Sequence, residues 1–179
     1  TIEFVAPALS AAYVHGHLIW SAGLHWILGS SLRARTGNVR ADLEEAIEHM
    51  EASVRGTPEP NLRAERELNL AAAYGTRRNG DPNENFEAAL RILEEGDARL
   101  DERAPRRVRL AMKSNMARAL QAREEGKRLE NLYRSLRILE EATALTSAAE
   151  DPEPWALVSI NMAETIKLLI AEGETVQAD

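Results

Sequence analysis

The sequence predicts an all-α fold built as a stack of antiparallel helix pairs, with about seven helices. Three observations carry this. Residues 69–95 recur as residues 115–141, an offset of 46. Apolar residues fall at helical spacing between Gly- and Pro-containing breaks, and no segment alternates as a strand does. The repeat is clearest in two blocks. Asn69-Leu70-Ala71 becomes Asn115-Met116-Ala117 and then Asn161-Met162-Ala163, each step 46 residues. The run from Asn85 to Glu95 matches that from Asn131 to Glu141 at the same offset, across a loop of different sequence. A spacing held through a variable loop marks a duplicated structural unit.

Taken in order, the first element is a single long helix over about residues 7–35, apolar on more than one side. Such a helix is covered on several sides, so Ile19, Trp20, Trp26 and Leu28 are expected to form a self-association surface, giving a possible homodimer. Gly16, Gly23 and Gly29 permit close approach to a neighbour, and Gly37 ends the element. Asp42 is expected to cap the next helix with Glu45 completing a capping box, and Leu43, Ala46, Ile47, Met50 and Val54 give it one apolar stripe.

A third helix is expected over about residues 61–78, stopping at Asn79-Gly80. Asp81-Pro82-Asn83-Glu84 opens the fourth, with an acidic cap, Pro at the first helical position and Glu at the third. Helices over about 105–126, 129–146 and 153–172 complete the chain, and the polar tail from Glu172 frays. The helix pairs therefore span about 7–55, 61–101 and 105–148, followed by one final helix at 153–172, all in a single repeat domain. The first residue is Thr1, and a piece of a longer protein is the expectation.

Composition narrows the function classes. A net charge of −7 disfavours nucleic acid, whose phosphates need a basic field. No apolar run reaches the length of a membrane span, and no signal peptide precedes the first helix. The absence of cysteine excludes disulfides and thiolate chemistry and fits a cytoplasmic setting. His15, His17 and His25 lack the i, i+4 spacing that sets two imidazoles on one ion, so no metal is expected. No phosphate-binding loop or nucleophile motif occurs, so neither cofactor nor catalytic residue is assigned. The Arg103, Arg106, Arg107 and Arg109 cluster reads as a solvated corner paired with Asp101 and Glu102.

Asn69-Leu70-Ala71-Ala72-Ala73-Tyr74, followed by Arg77 and Gly80-Asp81, resembles the first helix of a tetratricopeptide repeat. Leu43-Glu44-Glu45-Ala46-Ile47 and Phe86-Glu87-Ala88-Ala89-Leu90 are similar to the second helix of that family. The period exceeds the family's usual 34 residues. Residues 28–37 with Asp42-Leu43 are similar to long-period repeats associated with CHAT-domain peptidases.

The resemblance implies a right-handed superhelical solenoid and a non-enzymatic scaffold that binds a protein or peptide on the concave face of its first helices. It places Asn69, Asn115 and Asn161 at the position whose amide bonds a ligand backbone, or alternatively spaces neighbouring repeats. By the same carry-over, Glu65, Leu68, Ala72 and Thr76 line the groove in one repeat, and Ala111, Ser114, Arg118 and Gln121 in the next. Leu157, Ile160, Glu164 and Lys167 continue it. The alternative is a regulatory sensor segment that controls an adjoining effector domain such as a CHAT peptidase.

Overall fold

The computed structural model describes residues 2–14, 18–34, 39–124 and 126–173, and among them the chain is helical with no strand. Eight helices follow one another: α1 (Ile2–Val14), α2 (Leu18–Arg33), α3 (Val39–Arg55), α4 (Pro60–Tyr74), α5 (Pro82–Arg99), α6 (Arg106–Ala122), α7 (Arg128–Thr143) and α8 (Pro152–Ala171). The repeat survives as geometry: α4, α6 and α8 begin 46 residues apart, and so do α5 and α7. The chain divides into two compact units, Thr1–Asp101 and Glu102–Asp179. Gly37, the tail beyond Gly173, and Gly16 with its neighbours His15 and His17 lie outside the described residues.

In the first unit, α1 corrects the expectation of one long amino-terminal helix. The stretch is two helices, and Pro7 lies inside the first of them. Val5 and Leu9 of α1 pack on Leu28 of α2, with Leu24 against the cluster. An α2 that is apolar on several faces is thus covered in part from within its own chain. On its other side, Gly29 admits α3 at close range. A Cβ at Gly29 would lie 2.9 Å from Met50 Cγ and 3.0 Å from the Ala46 carbonyl oxygen. Nothing lies within 4 Å of the corresponding atom at Gly23, so the expected close approach holds at Gly29 and not there.

Asp42 is also corrected. Helix α3 already runs through Val39-Arg40-Ala41, so Asp42 sits buried within the first turn and is not the cap. Below it Ile47, Met50 and Val54 form a core with Leu70 and Ala73 of α4, and Leu43, Tyr74 and Ile92 pack around this core. Fully burying each such large aliphatic side chain contributes about 1.5–3 kcal/mol. The start of α4 is set by Glu59, whose carboxylate accepts from the Asn61 and Leu62 backbone N–H groups, with Pro60 at the first helical position.

That helix ends at Tyr74, earlier than the expected stop at Asn79-Gly80. Gly80 instead shapes the loop, at φ +78°, and the Asn85 side chain donates to the Asn79 carbonyl at 2.8 Å to hold it. Asp81 caps α5 as expected, accepting from the Asn83 and Glu84 backbone N–H groups, with Pro82 following.

The second unit packs α6, α7 and α8 together around Leu110, Ala117, Leu139, Ala142 and Val158. Its α6–α7 loop likewise has a positive-φ glycine followed five residues later by an asparagine. Gly126 has φ +77°, and Asn131, which is 46 residues after Asn85, accepts from Arg123 Nη1 at 3.3 Å.

Candidate functional site: a groove between α6 and α8

In the second unit a polar network fixes α6, α7 and α8 at one end. Gln121 Nε2 donates to the Asn161 carbonyl at 3.1 Å and to Thr165 Oγ1 at 2.7 Å. Thr165 Oγ1 also lies 3.1 Å from Ser135 Oγ and donates to the Asn161 carbonyl at 2.9 Å. Ser135 in turn reaches the Ala117 carbonyl at 3.2 Å. Ser135 and Thr165 are wholly buried, so each bond here satisfies a group that water cannot reach. At the other end of the helix pair, Arg106 lies 3.0 Å from Asp151 and 3.5 Å from Glu150.

Between these two fixed points the helices leave a cavity of about 270 Å³. Leu110, Ala111, Pro154 and Leu157 make it mostly apolar, while Arg107 and Glu153 put one charge of each sign at its edge. Ser114 also lines it. This side chain is 3 % exposed, yet its hydroxyl has no hydrogen-bond partner. An unmatched buried hydroxyl costs about 1–3 kcal/mol, so its persistence needs a reason. One helical turn beyond Leu157, the Nδ2 of buried Asn161 is likewise unmatched.

The groove positions implied by the family resemblance separate into three groups. Ser114, Ala111 and Leu157 do meet, in this cavity. Gln121 and Asn161 contribute to the spacing of helices through the network above, Asn161 by its main chain. Arg118 is exposed, Asn115 is half-buried, and Glu164 with Lys167 form an exposed ion pair at 3.6 Å.

In the first unit Asn69 lines a separate cavity of about 390 Å³ with Ser30, Arg33, Ala34 and Met50. Its amide donates to the Glu65 carbonyl at 3.0 Å, within its own helix. Thr76 turns back onto the Ala72 carbonyl at 3.2 Å, closing the end of α4.

The residues expected to mediate self-association also separate. Leu28 is 3 % exposed beneath α1 and is withdrawn from any such surface, because the chain covers it itself. Trp26 is half-buried, and the side chains of Ile19 and Trp20 lie outside the described set. Among the described residues no helix is long and apolar enough to cross a membrane.

No protein-family model, curated protein or solved structure matches the chain.

Three features were missed from the sequence. Ser135 and Thr165 carry no motif, and only the packing of three helices brings them to Gln121. Asn85 and Asn131 did announce themselves, as equivalent residues of the repeat just past a glycine. The third is a histidine contact across α2 and α3, where His25 Nδ1 lies 2.7 Å from His49 Nδ1. The two are 24 residues apart, a separation that no helical spacing rule addresses.

Proposed function

We propose that the chain is a non-enzymatic scaffold of tetratricopeptide-like helix pairs, and that the groove between α6 and α8 receives an extended peptide segment. The observation that carries this reading is the buried, unmatched Ser114 hydroxyl in the wall of a mostly apolar cavity. An apolar concavity with a few placed polar groups is the usual form of a ligand site. A volume of about 270 Å³ suits one aliphatic side chain of a peptide, and a rotation of the Ser114 side chain about χ1 would bring its closed-off hydroxyl to the adjoining peptide unit as donor or acceptor. Arg107 and Glu153 at the edge favour a ligand of mixed charge over a polyanion. The chain's net charge of −7 points the same way.

The test is selection of binders from a random peptide library displayed against the purified protein. Enriched sequences sharing an aliphatic residue, which lose binding when Ala111→Trp fills the cavity, support the groove. Enriched peptides that bind the Ala111→Trp variant equally well place the site elsewhere.

A further inference from the structure

In the first unit, Arg66 of α4 is a buried cation that meets no carboxylate among the described residues. It is 9 % exposed, and its hydrogen bonds both leave from Nη1, to the Ser53 carbonyl at 3.3 Å and to Thr57 Oγ1. Its Nε is closed off from water and has no partner. The hydroxyl of Ser53, a wholly buried residue, is unmatched as well. Burial pushes the Arg66 pKa down, and no neighbouring carboxylate pushes it back up.

Three carboxylates of this corner are engaged elsewhere. Glu51 accepts from Tyr74 Oη at 2.6 Å and pairs with Arg55 at 3.6 Å. Glu59 caps α4, and Glu67 pairs with Arg63 at 3.1 Å and with Arg99 at 2.7 Å. The carboxyl end of α3 answers the Arg66 charge only in part, because its carbonyl dipoles reach Nη1 alone.

The repeat shows that the helix packing itself asks for no cation here. Met112 and Val158 occupy the position of Arg66 at steps of 46 residues, and they are 0 % and 1 % exposed. Ser53 corresponds to Gly96, 43 residues on, and to Ala142, a further 46 on. Ala142 and Val158 share the apolar core of the second unit. The contact that is apolar between α7 and α8 is thus polar and charged between α3 and α4. A buried charge costs free energy unless a counter-charge and hydrogen bonds answer it, and an apolar residue of similar length avoids that cost.

A guanidinium presents Nε–H and one Nη2–H side by side, an edge that takes an oxyanion through two parallel hydrogen bonds. In Arg66 that edge is the unused one. We propose that Arg66 binds a small oxyanion, a carboxylate or phosphate group, on its Nε–Nη2 edge, with the unmatched Ser53 hydroxyl as the neighbouring donor. The cluster lies just beneath the α3–α4 loop, where Thr57 is buried while Arg55 and Pro58 are exposed. Because Nε is closed in the ligand-free chain, the anion enters as the long Arg66 side chain turns about its terminal torsions.

The test is thermal unfolding of the intact chain at pH 7 and constant ionic strength, with sodium chloride replaced stepwise by sodium formate or by sodium phosphate. A saturable rise in Tm is expected, about 2–4 °C once the anion exceeds its dissociation constant several-fold. Phosphate also stabilises folded chains without binding them, so the rise is read against Arg66→Met, which carries the residue of the equivalent position in α6. Arg66→Met should lose the saturable rise. In chloride it should unfold at the wild-type temperature or above, since Thr57 Oγ1 still donates to the Ser53 carbonyl at 2.6 Å. Arg66→Lys keeps the charge without the fork and should lose most of the rise. A rise with formate marks a carboxylate ligand, and a rise with phosphate alone marks a phosphate group. No rise in the wild type, or an equal rise in Arg66→Met, overturns the proposal, and a full rise in Arg66→Lys overturns the use of that edge. A lower Tm of Arg66→Met in chloride also overturns it, by making the guanidinium a structural tie between α3 and α4.

Discussion

His25 and His49 meet nitrogen to nitrogen where α2 packs on α3, Nδ1 to Nδ1 at 2.7 Å. One ring must donate and the other accept, so protonating both would set two N–H groups against each other. Burial pushes the His25 pKa below its ordinary value, and the charges of His49 and Arg55 push it the same way. On the other side of the pair, Glu45 lies 3.9 Å from His49 Nε2.

The pH dependence follows from that direction. The unfolded chain takes up the His25 proton near its ordinary value of about 6.5, before the folded chain does. The stability contribution is whole above about 6.5 and is lost as pH falls from there toward the lowered folded pKa. Thermal unfolding between pH 7 and 5 should show Tm falling with pH, and His25→Phe should flatten that fall. An unchanged slope in the variant would remove His25 from the account.

Two glycines of α2 should respond with opposite signs. Glycine inside a helix costs about 1 kcal/mol relative to alanine. Gly23→Ala meets nothing within 4 Å and should stabilise the fold by up to about that amount. Gly29→Ala drives a methyl group onto the Ala46 carbonyl and Met50, and should destabilise by about 1–3 kcal/mol, as overpacking does. Denaturant midpoints of the two variants check this directly, and equal shifts would contradict the packing of α3 on α2.

The loop between α4 and α5 depends on Asn85. Asn85 is buried and its amide donates to the carbonyl of half-buried Asn79, so Asn85→Ala should cost about 1 kcal/mol. Gly80→Ala should cost about 1–2 kcal/mol, because φ +78° opposes any Cβ. Chemical denaturation measures both. The same substitutions at Asn131 and Gly126 should behave alike if the loops are truly equivalent.

Much of the architecture was legible because it depends on periodicity. The 46-residue offset gave the starts of α4 to α8 in register, and Asp81-Pro82 marked the α5 start by its own cap chemistry. The amino-terminal stretch misled for a physical reason. Residues 2–33 are apolar on several sides, so helical spacing does not show that α1 and α2 are separate helices packed on each other. Glu59 caps α4 with a side chain longer than those usually found at that position, so residue type alone does not mark it. In the groove, Ala111, Ser114 and Leu157 were among the positions that the tetratricopeptide resemblance implies. The unmatched state of Ser114 was not legible, since it depends on what its neighbours fail to offer.

Ser114 is therefore where the central claim is most exposed to test. Ser114→Ala removes a buried hydroxyl that has no partner in the ligand-free chain. The unliganded variant should unfold at an equal or higher temperature, with a gain of up to about 1–3 kcal/mol from the relieved desolvation. Its affinity for a peptide selected on the groove should fall by about tenfold, the loss of one hydrogen-bonded pair. Measured together on one purified variant, stability held or raised with affinity lost is the predicted result. Affinity unchanged, whatever happens to stability, would contradict the assignment of this groove as the peptide site.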